Sequence, residues 1–350
     1  MEKCLHESVS APFTEKQGIR QGGSSSADKY KAGKNRLLHQ LHKHPSNRIG
    51  YLPVGAIMVA DDLVITSNKA YKQQTSLNIA AHDASKDRYK FNVDKTKTVT
   101  LNSNSSPTFI LNNKPLGTSS AEPHLGIVRN EEGDNSTTVE DRIKSARRVT
   151  FSLLGAGYYG VNGVGPNVAA FQYKAYVSPT MLYGLEAIVP TDEDIKKLEQ
   201  AHRKSLRRIQ GLPDSSANPA IYLLIGILPV EAMIHVRALT LFRSILAAET
   251  PSPPAMFIKE LILRQLAMKD NTSKSWTVYI KQLLQRYNLP EPSLLTKETP
   301  TKKKWSKMVK TSVTESWKRI LAEAGCPREE DAGSAQRRNV LSGLCPSSVE

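Results

Sequence analysis

Apolar positions follow two regimes along the chain. Over roughly the first 130 residues they come mostly in short runs. AIMVA and LVIT flank the pair Asp61–Asp62, and two apolar runs around a two-residue break form the pattern of a β-hairpin. FTEKQG, FNV, TVTL and FILNN read as further extended stretches, the last three divided by Asn/Ser/Pro turns. Two helices interrupt them. One runs from Ser26 to about His44 with Leu37, Leu38 and Leu41 as its apolar stripe, and the other covers 68–88 with Leu77, Ile79, Ala80 and Ala84. Between FTEKQG and the first helix, GIRQGGSSS reads as a turn-rich loop containing Gly18, Gly22 and Gly23.

From about residue 136 the spacing becomes helical. VEDRIKSARRVTFSLL places Val139, Ile143 and Ala146 on one face. A Gly-rich connector, GAGYYGVNGVG, follows, then AAFQYKAYV, a helix from Thr191 to Ile209, and PVEAMIHVRALTLFRSILAA. Thr191 can cap its helix with Asp194 three residues on, and Ile195, Leu198, Leu206 and Ile209 supply the buried stripe. The remainder reads as short helices between Pro-rich breaks. The expected class is therefore α+β, with a mixed unit followed by a mostly helical one. The expected segments are a disordered start (1–12), a mixed unit (13–130), a helical region (131–250), a further helical region (251–325) and a disordered tail (326–350).

Charge changes the picture more than composition does. Lys and Arg number 48 against 33 Asp and Glu, for a net charge of +15. A field of that sign attracts polyanions, and nucleic acid is the commonest. A soluble basic protein without such a partner has the same composition. No run approaches the roughly 18 apolar residues of a spanning helix, and MEKCLHESVS lacks the apolar core of a signal peptide. Cys4, Cys326 and Cys345 are too scattered for a disulfide framework, which points to an intracellular, reducing compartment, nucleus or cytoplasm. His39, His42 and His44 cluster without a nearby cysteine, so they read as a helix end and no zinc is expected. GAGYYG matches G-x-G-x-x-G, but Asn162, Gly163, Gly165 and Pro166 continue a loop where a dinucleotide site needs a helix.

Two constellations carry candidate chemistry. Asp-Asp is a poor choice for a two-residue hairpin turn, and poor local choices gather at functional sites. Paired carboxylates there can hold Mg²⁺ for phosphoryl chemistry, although an exposed acidic turn has the same sequence. In the helix after Thr191, Arg203/Arg207 and Lys204/Arg208 are like-charge pairs at i,i+4, mildly destabilising unless an anion such as a phosphate lies against them. A solvated basic face is the alternative. Lys302–Lys304 reads as a helix start rather than a nuclear signal.

The order of the motifs adds a resemblance. Ile19-Arg20-Gln21-Gly22, then Ala60-Asp61-Asp62, then Asn92-Val93-Asp94-Lys95-Thr96, then His124-Leu125-Gly126 is similar to the palm of reverse transcriptases from LINE-type, non-LTR retrotransposons. MLYGLE (181–186), LEQAHRKSLRRIQGLP (198–213) and YLLIGILPVEAMIH (222–235) resemble the region after that palm, so the likeness covers residues 10 to about 325. It implies a partial polymerase palm over 13–130, an antiparallel sheet with packed helices, followed by a mostly helical thumb and connection, acting as an RNA-directed DNA polymerase on an RNA template and DNA primer. Asp61 and Asp62 would ligate catalytic Mg²⁺, with Lys95 near the nucleotide phosphates. Arg20, Gln21 and Gly22 would lie against template and nucleotide, and His124, Leu125 and Gly126 would support the primer end. Arg203, Lys204, Arg207 and Arg208 would bind nucleic acid.

The departures are equally specific. The family's palm opens with a strand bearing another catalytic aspartate, which residues 1–12 do not supply. The helix after the Gly-rich loop carries Ser24, Ser25, Lys29 and Gly33 where apolar residues are usual. The expectation is a truncated enzyme with an incomplete Mg²⁺ site, inactive alone, with an exposed sheet edge prone to self-association. The alternative class is a non-enzymatic basic scaffold that binds nucleic acid or protein.

Overall fold

The computed structural model describes residues 22–44, 48–49, 52–103, 105–158, 162–248, 253–267 and 272–325. The segments 1–12 and 326–350, together with Arg20 and Gln21, lie outside these residues. Helix α1 (Ser26–Lys43) opens the described chain, followed by β1 (Arg48–Ile49), β2 (Leu52–Pro53), β3 (Ala56–Val59), β4 (Asp62–Ile65) and α2 (Ala70–Lys86). Six short strands come next: β5 (Lys97–Thr98), β6 (Ile110–Leu111), β7 (Lys114–Pro115), β8 (Gly117–Thr118), β9 (Ala121–His124) and β10 (Ile127–Asn130). The rest is helical: α3 (Ser136–Gly155), α4 (Pro166–Gln172), a π-turn (Tyr173–Val177), α5 (Ser178–Leu182), α6 (Asp192–Gln210), α7 (Asn218–Ile225), α8 (Val230–Leu246), α9 (Pro253–Ala267), α10 (Trp276–Arg286), α11 (Pro292–Lys297) and α12 (Lys302–Gly325). Lys302–Lys304 does start a helix.

The chain is α+β, but the antiparallel sheet expected across 13–130 does not form among the described residues. The strands pair two by two, β1 with β2, β3 with β4, β5 with β8, β6 with β7 and β9 with β10. FNV is not a strand either. Asn92 Oδ1 accepts from the Lys95 amide at 3.1 Å, and Thr96 donates from its amide (3.0 Å) and its hydroxyl (2.8 Å) to the Asn92 carbonyl. This is the local side-chain competition that makes Asn a turn former.

Two compact units divide the chain: residues 1–98 with 107–117, and residues 99–106 with 118–350. The division precedes the composition shift near residue 130, because hairpin β9–β10 belongs with the helices. The buried Thr138 hydroxyl of α3 accepts from the Val128 amide (3.0 Å) and donates to the Val128 carbonyl (3.1 Å).

The first unit packs Leu37 and Leu41 of α1 against Ala56 and Ala80, with Met58, Leu63 and Ile65 of β3–β4 beside them. Leu77, Phe109, Leu111 and Leu116 form a second cluster. A polar clasp joins the helices: Arg36 donates from Nε to the fully buried Asp83 (2.9 Å), and its Nη2 pairs with Asp87 (2.8 Å). Burial, with Asp83 and Asp87 next, pushes the Tyr89 phenol up to about 12.

The second unit has two cores bridged by α8. Val230 and Ile234 enter one, against Leu198, Leu206 and Ile221. Ala238, Leu239, Phe242 and Leu246 enter the other, against Trp305 and Val309. Among the described residues no single helix is long and apolar enough to cross a membrane; α7 and α8 would qualify only together and are bent by 56°.

Candidate functional site

Asp61 occupies the tip of hairpin β3–β4. Val59 pairs with Asp62, so Ala60 and Asp61 form the two-residue turn, and both carboxylates are exposed. Ala60 has φ 54°. A left-handed alanine crowds its Cβ against the following carbonyl, at a cost of about 1–2 kcal/mol. The flanking strand pairing bears that cost at the reversal where the acidic pair sits. Burial, and secondarily the charge of Asp61, raise the phenol of Tyr30 on α1. Ala60→Gly should therefore stabilise the first unit by about 0.5–1 kcal/mol, read as a shifted urea midpoint, with the unfolded-state entropy of glycine offsetting part of the relief.

The ligand set at this tip is one-sided. No third carboxylate, histidine or cysteine joins Asp61 and Asp62 in a metal-holding group among the described residues. Asp61 stands in the turn while Asp62 already opens β4, so the two carboxylates come from one hairpin. They do not suit a pair of ions clamped about 3.5–4 Å apart, which needs ligands converging from more than one element.

The other motif residues also lie at chain reversals. Gly22 has φ +85° and is exposed, just before α1. Lys95 sits in the Asn92 turn with its side chain exposed. Leu125 (φ 50°) and Gly126 (φ 77°) form the tip of hairpin β9–β10, with Leu125 exposed. Gly126 is required twice over, by its positive φ and because an added Cβ would stand 2.8 Å from the Tyr183 ring. The Tyr183 hydroxyl donates to the Leu125 carbonyl at 3.0 Å, and the Arg142 guanidinium lies 5.5 Å from the Tyr183 ring centre. MLYGLE thus docks the hairpin of His124-Leu125-Gly126. Since Gly126 belongs to the second unit, it shares a compact body with Arg203–Arg208 and not with Asp61.

Helix α6 begins and ends as its sequence requires. Thr191 Oγ1 accepts from the Asp194 amide (3.2 Å), the Thr191 amide donates to Asp194 Oδ2 (3.0 Å), and Gly211 closes the helix at φ 66°. Its four candidate cations divide in use. Arg207 donates to the Ser216 carbonyl (3.0 Å) and to Asn218 Oδ1 (2.9 Å), bracing the loop into α7. Arg203 lies near Glu199, whose charge it favours. Lys204 and Arg208 are exposed.

The inner face of α6 stitches the following motifs together. Glu199 accepts from the Tyr222 hydroxyl (2.6 Å) and from the Glu231 amide (3.1 Å). His202 takes the Tyr173 hydroxyl on Nδ1 (2.6 Å) and faces the Leu228 carbonyl with Nε2 (3.1 Å), which places its proton on Nε2. Glu199, His202 and Tyr183 had no assigned role in the sequence; the Glu-x-x-His spacing on a helical stripe was the available signal for the first two. No protein family, curated protein or solved structure matches this chain.

Proposed function

We propose that the chain is part of a non-LTR retrotransposon reverse transcriptase, which retains nucleic-acid binding and does not extend primers as these 350 residues alone. The observation that supports this reading best is the strained Ala60–Asp61 turn, which presents two exposed carboxylates at the tip of an apolar hairpin. The ordered motifs around Gly22, Lys95 and Gly126 support it too, each lying at a turn. Two-metal chemistry needs carboxylates converging from more than one element, and positioning with electrostatics supplies nearly all of the rate in phosphoryl transfer. Primer extension on an RNA template at millimolar Mg²⁺ is expected to be undetectable. Robust extension lost in Asp61→Ala would overturn the inactivity.

A second reading, a non-enzymatic basic scaffold, is favoured by one finding: Glu199, His202 and Arg207 are consumed by packing. Gel shifts on a primer–template at about 50 and 200 mM salt separate the two for binding. A loss of tenfold or more over that range supports nucleic-acid binding, and absence of a shift at the lower salt supports a scaffold for other partners.

A further inference from the structure

Helices α3 and α6 lie side by side and parallel. Lys197 Nζ meets Glu140 at 3.8 Å, and eleven residues further along each helix the Arg208 guanidinium lies 5.1 Å from the Phe151 ring centre. That distance along both helices is about three turns. The pair is strongly polarised along its length. Its starts carry Glu140, Asp141, Asp192, Glu193 and Asp194. Past them, residues 142–185 contain no Asp or Glu, and on α6 only Glu199, buried against Tyr222, intervenes before the acid-free stretch 200–213; the exposed Asp214 follows in the loop beyond the helix. The late turns carry Arg147 and Arg148 on α3 and Lys204 and Arg208 on α6, all exposed. A cation in the last turn complements the helix dipole, which accounts for Arg208 on α6 but not for Arg147 and Arg148, well before the end of α3. Nor does it account for Phe151, which stays 55% exposed beside Arg208 in the midst of those cations.

An aromatic face held open among exposed cations fits a base with its phosphates. We infer that the C-terminal ends of α3 and α6 bind an unpaired stretch of polynucleotide, with one base stacked on Phe151 and the flanking phosphates on Arg147, Arg148, Lys204 and Arg208. Charge complementarity selects the polyanion, and the open ring selects a single strand over a duplex, whose bases are already stacked. The inference rests on the nucleic-acid-binding reading above and assigns it a residue and a strand type.

The test is fluorescence anisotropy on the full chain with three labelled probes of equal length: oligoadenylate, an abasic chain of the same charge, and a blunt duplex. The wild type should bind oligoadenylate about tenfold more tightly than the abasic chain. Phe151→Ala should abolish that difference while leaving abasic binding unchanged, and Phe151→Trp should keep it. Arg208→Gln and Arg147→Gln should weaken both single-stranded probes and flatten the salt dependence. Tyr71→Ala, an exposed ring on the first unit, should change nothing. If the wild type binds but Phe151→Ala leaves the base-dependent difference intact, or the duplex binds best, this inference fails and the broader reading stands. If no probe binds at low salt, both fail. Unchanged circular dichroism of Phe151→Ala excludes misfolding, which the ring's exposure already disfavours.

Discussion

Glu199→Leu is expected to destabilise the helical unit by about 3 kcal/mol, with Glu199→Gln costing well under half of that. The α8 helix starts after Pro229, which has no side-chain oxygen to cap the first amides. Glu199 supplies the cap from α6, accepting from the Glu231 amide while it also holds the Tyr222 hydroxyl. Losing a cap costs about 1 kcal/mol, and a buried hydroxyl left without a partner costs about 1–3 kcal/mol. Burial raises the Glu199 carboxyl above its ordinary range, opposed by the bonds from Tyr222 and Glu231. The site therefore needs an acceptor more than a full charge, which glutamine still provides. Tyr222→Phe in the Glu199→Leu background should recover about 1 kcal/mol or more, because it removes the orphaned hydroxyl. Urea denaturation of the four proteins of this cycle gives the coupling directly. Additive effects would show that Glu199 acts by volume alone.

The elements legible in the sequence are those decided by neighbours a few residues away. Thr191 with Asp194 and then Gly211 mark the ends of α6, and Leu37 and Leu41 mark the buried face of α1. The Asp61 hairpin follows from AIMVA and LVIT, but its turn falls one residue earlier than the Asp61–Asp62 break, at Ala60–Asp61, because Asp62 already pairs with Val59. What escaped depends on distant partners. Nothing within 121–130 shows that this hairpin belongs with the helices; that is settled by Tyr183, 58 residues beyond Leu125. Within AAFQYKAYV, α4 gives way to a π-turn where Tyr173 turns inward to His202, a change of period that the local sequence does not announce. Of the four cations grouped on α6, Arg207 is diverted to the loop carbonyl of Ser216, which helical periodicity cannot reveal. Phe151, half-exposed on the α3 helix, would have read as one more apolar position in the stripe.

Acid should unfold the helical unit well before its surface carboxylates titrate fully. His202 is fully buried, and burial pushes it down to about 4; His235 is almost fully buried, and burial, with Arg286 next, pushes it down to about 3. Both are satisfied as neutral rings. His202 sits between the Tyr173 hydroxyl and the Leu228 carbonyl, and His235 takes the Tyr287 hydroxyl at 2.6 Å, which itself accepts from Trp317 Nε1 at 2.9 Å; Glu231, 3.7 Å from His235 Nε2, is itself paired with Arg286 at 2.6 Å, so burial outweighs its pull on the ring. The unfolded chain protonates these histidines near pH 6.5, while the folded one does not until about 4 and 3. Below pH 6.5 the unfolded state therefore binds more protons, and stability falls as pH falls. Each group contributes roughly 3 kcal/mol of loss between pH 6.5 and 4, at about 1.36 kcal/mol per pKa unit. Glu199 works in the opposite direction, since a raised carboxyl favours the folded state as pH drops. One carboxyl does not offset two histidines over this window, and the combined loss rivals the 5–15 kcal/mol stability of a typical domain. Urea midpoints measured from pH 7 to pH 4.5 should fall with a limiting slope approaching two protons. His202→Gln, which loses the titrating ring, should halve that slope even though it lowers stability at pH 7. A midpoint independent of pH across this range would show that neither ring is held neutral.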